Sequence, residues 1–386
     1  MQSLRIRGCF PCTLHSLPRV CMGKEKRNSA SSFFYEVVAK EIMSQIPNLL
    51  DFTQEEIEEF IFSLGKEKYR ARQIMKCLYQ SGHCSYDEMT TLSRDFRGKL
   101  AEISRIVQPE VVKILESKDG TKKALLRLED GLFIESVLIP GKNNWTICVS
   151  TQAGCAMGCK FCLTARQGFK RNLRPSEITG QILALRQKTS HELEIKNIVM
   201  MGMGEPLANY ENTIKAIKNL TCDFGLGFSN RKVTVSTCGL APQILQLGSD
   251  ICINLAVSLN APDNETRSSL MPINKKYPLE ELLAACKKYP MPGRRLLTFE
   301  YILIDGINSS VRDAEKLAAL LRDQRCKLNL IVFNEFPDAH FKSPSRGDVE
   351  AFQQVLIKKN YTTVIRASKG SDILAACGQL SGTMKS

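Results

Sequence analysis

Cys155-Ala-Met-Gly-Cys159-Lys-Phe-Cys162 is the stretch whose reading decides the fold. Its cysteines stand in a C-x3-C-x2-C spacing, in a loop just after the strand-like run Trp145-Thr-Ile-Cys-Val-Ser150. A structural zinc site closes its coordination with four protein ligands, and an electron-transfer iron-sulfur cluster usually takes four cysteines. Three thiolates leave one metal corner open. A reduced zinc knuckle that borrows a distant fourth ligand is the other reading of the same spacing.

Outward from this loop, strand-like and helix-like runs alternate. With 146–150 as the first strand, strands at 196–201, 233–236, 253–258, 297–304 and 328–333 are separated by helices at 175–188, 211–220, 242–247, 279–288 and 312–322. That alternation predicts an α/β fold of six parallel βα units, short of a closed eight-unit barrel. A further helix at 348–358 and strand at 362–366 precede the last motif. The strand ends carry small or polar residues: Met201-Gly-Met-Gly204-Glu205-Pro206, Ser236-Thr-Cys-Gly239, Ser258-Leu-Asn260 and Phe333-Asn334. Ligands of parallel sheets sit at such ends. Glycine lets the backbone approach a ligand closely, and the carboxylate of Glu205 can take an ammonium group.

Together with this layout, the cysteine loop resembles that of the radical S-adenosylmethionine (SAM) enzymes. The resemblance implies an open partial (βα)6 barrel and a 4Fe-4S cluster whose open iron chelates SAM. Reductive splitting of SAM to a carbon radical is chemistry that no side chain can do.

The rest of the chain is read as support for this core. Residues 1–46 begin with a basic, serine-containing stretch that reads as a disordered arm, with an organellar transit peptide or a start called too early (Met22) as alternatives. In 47–107, a capping box at Thr53-Gln-Glu-Glu56 opens a helix that stops at Gly65, a second carries Ile74, Cys77 and Leu78, and a third covers 94–103. These make a small helical domain with a basic face. Strands at 111–115, 123–128 and 133–139, separated by Lys118-Asp-Gly120 and Glu129-Asp-Gly131, predict a β-meander within 108–143. The SAM core then spans 144–345, and 346–386 is a C-terminal segment. The net charge of +13 in 386 residues favours a polyanionic partner. Lys170, Arg171 and Arg174, with Arg70 and Arg72, are the candidate phosphate contacts. No apolar run reaches the roughly 18 residues of a membrane span. The scattered placement of the 15 cysteines points to a reducing, cytoplasmic setting.

Cys148-Val-Ser-Thr-Gln-Ala-Gly-Cys155, Gln167-Gly-Phe-Lys-Arg-Asn-Leu-Arg174, Met200-Met-Gly-Met-Gly-Glu-Pro206, Met271-Pro-Ile-Asn-Lys-Lys276 and Ala375-Ala-Cys-Gly-Gln-Leu380 resemble a narrower group, the RlmN family of RNA adenine methyltransferases. The likeness runs over about 48–380 and includes Asn48-Leu-Leu-Asp51 and Phe96-Arg-Gly-Lys99, which makes the helical domain an RNA-docking one. Carried over by position, Cys155, Cys159 and Cys162 hold the cluster, while Gly204, Glu205, Ser236, Ser258, Leu259, Asn260 and Asn334 contact SAM. Cys377 and Cys148 carry the methyl chemistry, and Glu135 matches a proton acceptor. Asn260 stands where many relatives have His, and Cys238 replaces a common Ser.

The chemistry explains the two extra cysteines. Carbon 2 and carbon 8 of adenine are electrophilic, so a polar methyl transfer finds no nucleophile there. One SAM can instead methylate Cys377, a second can supply the radical that activates the S-methyl, and the methylene radical can add to the ring. Release from the protein–RNA adduct needs a base for the ring proton and a second thiol, Cys148, to form a transient disulfide. The resemblance implies carbon 2 of an adenine in the peptidyl transferase region of 23S rRNA, and an anticodon-adjacent adenine in tRNA. It also implies an external electron donor and action as a monomer. Cfr-type enzymes share the cysteines but methylate carbon 8; Asp223-Phe-Gly225 and Phe228-Ser-Asn-Arg231 favour the carbon 2 family. A zinc-stabilised, non-catalytic RNA-binding protein is the rival of another class.

Overall fold

A capping box opens the first α-helix: Glu56 N donates to Thr53 Oγ1 at 3.3 Å and Thr53 N donates to Glu56 Oε2 at 2.9 Å. It starts α1 (Gln54–Ser63), followed by α2 (Tyr69–Met75), which runs on through a π-turn, and α3 (Arg94–Ile103). The computed structural model describes residues 46–189, 194–291, 293–337 and 339–382, so the arm expected at 1–46 lies almost wholly outside the described residues. The three helices close over Leu50, Ile57, Ile61, Ile74, Leu78, Phe96 and Leu100. Each such side chain contributes about 1.5–3 kcal/mol on burial. Leu183 of the core joins the same cluster, and from Pro47 onward the chain forms one unit.

The meander forms as expected: β1 (Glu110–Glu116), β2 (Lys122–Arg127) and β3 (Phe133–Pro140) pair antiparallel. Gly120 (φ 81°) and Gly131 (φ 87°) supply the left-handed turns between them. β4 (Trp145–Cys148) then pairs antiparallel with β3 and parallel with a later strand, so the sheet changes direction at this strand. It ends before the expected Ser150.

Two short elements flank the cysteine loop that periodicity did not predict. β5 (Gln152–Gly154) and β6 (Phe169–Asn172) form a two-stranded hairpin with α4 (Leu163–Arg166) between them. The chain continues through α5 (Pro175–Lys188), β7 (Ile195–Met200), α6 (Tyr210–Thr221), β8 (Val233–Thr237), α7 (Ala241–Asp250) and β9 (Asn254–Ser258). A short α8 (Asn264–Leu270), also not foreseen, is followed by α9 (Leu279–Lys288), β10 (Leu297–Leu303) and α10 (Val311–Leu320). The last elements are β11 (Cys326–Val332), α11 (Arg346–Lys358) and β12 (Thr362–Arg366).

The strands join into one ten-stranded sheet in the order β1-β2-β3-β4-β7-β8-β9-β10-β11-β12. From β4 onward all neighbours are parallel, which gives the expected partial barrel. β12 extends it by one more parallel strand. The crossover helices bury their apolar stripes on the outer face, Ile214 and Ile217 of α6 and Leu282 of α9 among them. Side chains from β3 through β12 point instead into one cavity. No helix among the described residues is long and apolar enough to cross a membrane.

Candidate active site

The cysteine loop is pinned at its base. Gly154 has φ 75°, and a Cβ there would lie 1.9 Å from the carbonyl oxygen of Gly168, so only glycine lets the two hairpin strands meet. Cys155 N donates to Gly168 O (3.1 Å), Lys160 N to Leu270 O of α8 (3.0 Å), and Leu163 N to Gly378 O (2.7 Å). Cys155, Cys159 and Cys162 all line the cavity. Burial pushes the Cys155 thiol up to about 12 and raises the other two, and at Cys159 the neighbouring Cys162, Cys155 and Glu205 add to the rise.

Those thiols will not ionise together unless a cation compensates them, which is what a bound metal does. A single tetrahedral ion needs all its sulfurs at about 2.3 Å from one point. Among the described residues no three His, Cys, Asp or Glu side chains converge in that way. A cubane takes each thiolate on a different iron and so accepts a wider triangle. Cys155 is buried and Cys159 and Cys162 half-buried along one cavity, and three thiolates that leave one metal corner open suit a cluster with one open iron.

Opposite the loop stand the strand ends. Gly204 has φ 100°, and a Cβ there would lie 2.7 Å from the Gln152 backbone nitrogen. The Gln152 side chain accepts from Glu205 N at 2.8 Å. The Glu205 carboxylate, raised in pKa by burial, accepts from Cys238 N (2.8 Å) and Leu207 N (3.1 Å). Gly204, Glu205, Ser236, Ser258, Asn260 and Asn334 all line the cavity. Asn260 sits in the left-handed region at φ 58°, held there because its Oδ1 accepts from Ile302 N at 2.9 Å and its carbonyl from Asn308 Nδ2 at 2.8 Å. Leu259 does not line the cavity: it is fully buried, its N–H donates to Glu300 O and its carbonyl accepts from Arg267.

Arg267 of α8 was passed over in the sequence. It is 0% exposed and donates to the carbonyls of Leu259 (3.0 Å), Cys238 (2.7 Å) and Ser258 (3.1 Å) and to Asn274 Oδ1 (3.0 Å). One guanidinium therefore ties the ends of β8 and β9 together. Buried arginines are rare enough that sequence reading assigns them to the surface.

Cys148 faces the same cavity from β4, in register with Val137 of β3 and Val199 of β7. Burial raises its thiol pKa, and the charge of Cys377 is the next cause. Cys377 reaches the cavity from the C-terminal segment, where Leu374 (φ 54°) and Gly378 (φ 83°) bend the chain on either side of it. Its accessible surface opens into the cavity, and the surrounding protein pushes its thiol up to about 11. Every described cysteine is a free thiol.

Glu135 is placed differently from the other site residues. It does not line the cavity; its Oε1 pairs with Lys123 Nζ at 3.1 Å and its Oε2 accepts from Ser381 N at 2.7 Å. Lys123 also donates to Leu374 O at 3.1 Å. The pair thus grips the C-terminal segment on both sides of Cys377. Further along, Ser117 Oγ donates to Asp372 at 2.6 Å and Gly370 N to Asp119 at 3.1 Å. Replacing Lys123 with Met should cost about 3–5 kcal/mol, because it leaves the Glu135 carboxylate buried without its cation. Denaturant unfolding measures this, and Lys123→Arg should recover part of the loss.

Two of the expected phosphate contacts are otherwise engaged. Arg171 holds Glu177 through two bonds of 2.7 and 2.8 Å and Asp130 at 2.6 Å, while Arg174 holds Glu129 at 3.0 Å. On the helical face Arg70 donates to Gln73 Oε1 at 3.0 Å, its Nε lies 4.0 Å from Glu67 Oε2 and its guanidinium 4.7 Å from the ring centroid of the exposed Tyr69, while Lys68 lies 5.9 Å from that of the exposed Phe62.

Residues 47–106 match the model of the ribosomal RNA large subunit methyltransferase N-terminal domain, and residues 149–321 match the radical SAM superfamily. The chain is 66% identical over 335 residues to the dual-specificity RNA methyltransferase RlmN of Syntrophus aciditrophicus, covering 87% of this chain and 96% of that protein. The protein of the same name from Geobacter sulfurreducens is 49% identical over 332 residues, covering 86% and 91%. Among solved structures, a radical SAM methyltransferase from Sphaerobacter thermophilus superposes with a TM-score of 0.82 at 43% identity, covering 87% of this chain and all of that one.

Proposed function

Because this chain belongs to the RlmN family of radical SAM RNA methyltransferases, we propose that it methylates carbon 2 of an adenine in the peptidyl transferase region of 23S rRNA and of an anticodon-adjacent adenine in tRNA. The observation that carries the reading is that Cys148 and Cys377 line the same cavity as Cys155, Cys159 and Cys162.

Cys155, Cys159 and Cys162 would hold the cluster, and Gly204, Glu205, Ser236, Ser258, Asn260 and Asn334 would border the SAM beside it, with Leu259 offering only its backbone. Bound there, cluster and SAM supply the radical that removes a hydrogen from an S-methyl group, so that two SAM are used per turnover, one of them as methyl donor. Cys377 carries the methyl: among the described thiols that line the cavity it is the most exposed. The activated carbon on its sulfur adds to the adenine ring and joins protein to RNA. Glu135 takes the ring proton, which requires that Ser381 N release Oε2 as RNA enters. Cys148 then attacks the sulfur of Cys377 as a thiolate: the S–S bond forms as the S–CH2 bond breaks with its pair on carbon, which takes up a proton to become the methyl, and the unpaired electron left on the ring would return to the cluster. An external reductant resets the thiols and feeds the cluster. We place the chain in the cytoplasm, as a monomer, with its helical domain on the RNA.

Nucleoside digestion of RNA after reaction, followed by mass spectrometry, tests the position. We expect 2-methyladenosine. A product that co-elutes with 8-methyladenosine would assign the chain to the Cfr type, and protein that emerges from anaerobic purification colourless and zinc-loaded would remove the enzymatic reading.

A further inference from the structure

Glu300 has no part in the chemistry above. It lies mid-strand in β10, in register with Ser258 of β9 and Asn329 of β11, and its residue lines the cavity although only 8% exposed. Its Oε1 accepts from Asn329 Nδ2 at 2.8 Å. Its Oε2 has no hydrogen-bond partner among the described residues. Structure alone gives no reason for a carboxylate here, since a strand-interior position is filled at lower cost by an apolar side chain. Burial pushes its carboxyl up, only partly opposed by the Asn329 bond and by the charges of Arg366 on β12 and Lys327 on β11. A carboxylate that binds protons more tightly than usual, with one oxygen unpartnered in a cavity that a nucleophile also lines, has the features of a base.

The nucleophile is Cys377. After burial, the negative charge of Glu300 is the largest cause that raises its thiol; Cys162 adds to the rise, and Arg366 opposes it. Burial pushes that thiol up to about 11, so it stays protonated at neutral pH, and the thiolate is the reactive form. Cys377 therefore needs a group to take its proton when it reacts.

We propose that Glu300 accepts the proton of Cys377 as that sulfur acquires its methyl group, an inference that rests on the reading of Cys377 as methyl carrier. The S–H bond breaks and its electron pair forms the new S–CH3 bond. The bond from the SAM sulfonium to its methyl carbon breaks, and its pair stays on that sulfur, which leaves as neutral S-adenosylhomocysteine. The proton passes to the free Oε2 of Glu300. A carboxylate and a sulfonium become two neutral groups, a change that a low-dielectric cavity favours. No electron is gained or lost.

Glu300→Gln keeps the shape and the Asn329 hydrogen bond but removes the base. In cluster-loaded protein with unmodified Cys377, given SAM without RNA or reductant, the methyl gain at Cys377 is followed by intact mass across pH. We expect the variant to be about 100-fold slower at neutral pH. Its rate should climb about tenfold per pH unit where the wild-type rate is flat. Glu300→Asp should restore part of the rate and the flat profile. In parallel, iodoacetamide alkylation of Cys377 in cluster-free protein should be no slower in Glu300→Gln, and faster where loss of the carboxylate charge lowers the thiol pKa. Misfolding or lost access would slow both reactions. Methyl gain at the wild-type rate in Glu300→Gln overturns the proposal. So does an unchanged pH profile with only a higher SAM requirement, which would make Glu300 a SAM ligand. Absence of any methyl on Cys377 in the wild-type chain overturns the methyl-carrier reading and the proposal with it, so the two failures are told apart.

Discussion

RNA should copurify covalently with the Cys148→Ala protein and with no other single-cysteine variant in the cavity. Cys377 and Cys148 act at opposite ends of one reaction. Cys377→Ala removes the methyl acceptor, so nothing becomes attached to RNA. Cys148→Ala leaves methylation and addition to the ring intact but removes the thiol that closes the disulfide, so the reaction halts at the adduct. The geometry sharpens the expectation, because Cys148 is buried on a central strand between β3 and β7, out of reach of bulk thiols that could replace it. Two merely structural cysteines would each cost about 1–3 kcal/mol on truncation and trap nothing. A nuclease-sensitive mass shift on denaturing gels is the readout, and the double variant should lose it. The shift appearing in Cys377→Ala instead would exchange the two roles; its absence from both would end the covalent mechanism.

Cys159→Ala should lose iron loading and SAM cleavage together. Only three thiols are offered on this cavity wall by the loop, and two hold a cubane poorly. Cys286 and Cys326 are the controls: both are buried among core side chains, and alanine at either should retain the brown colour and the iron. Iron content and deoxyadenosine release, measured on the same preparations, decide the matter. A Cys159→Ala protein that cleaves SAM at the wild-type rate would refute the cluster assignment.

The order of strands and the rim of polar strand ends could be read from sequence because both are short-range patterns: apolar runs alternate with amphipathic ones, and each motif lies within a few residues of a strand end. What escaped depends on partners distant along the chain. Glu135 is placed by resemblance alone, and that Lys123 and Ser381 occupy its oxygens has no local sequence signal, since Ser381 lies 246 residues away. Arg171 and Arg174 read as phosphate contacts, yet the acids of the β2–β3 turn, 41 and 45 residues upstream, neutralise them. The β5–β6 hairpin was missed because strands of three and four residues carry no measurable period. Glu300 was legible and was passed over: it is the one charge in Leu297-Thr-Phe-Glu-Tyr-Ile-Leu303, where no solvent-facing pattern accounts for it.

The grip on the C-terminal segment also orders events during biogenesis. Ser117 and its partner Asp372 are 255 residues apart, so the turn between β1 and β2 leaves the ribosome long before the segment that docks on it. At about 5–20 residues per second, that interval is about 10–50 s. For most of it the nascent chain holds the cysteine loop, while the wall formed by Ala375, Ala376, Cys377 and Gly378 does not yet exist. The wall that carries the reactive thiol can therefore be completed only after the loop it works beside has been made.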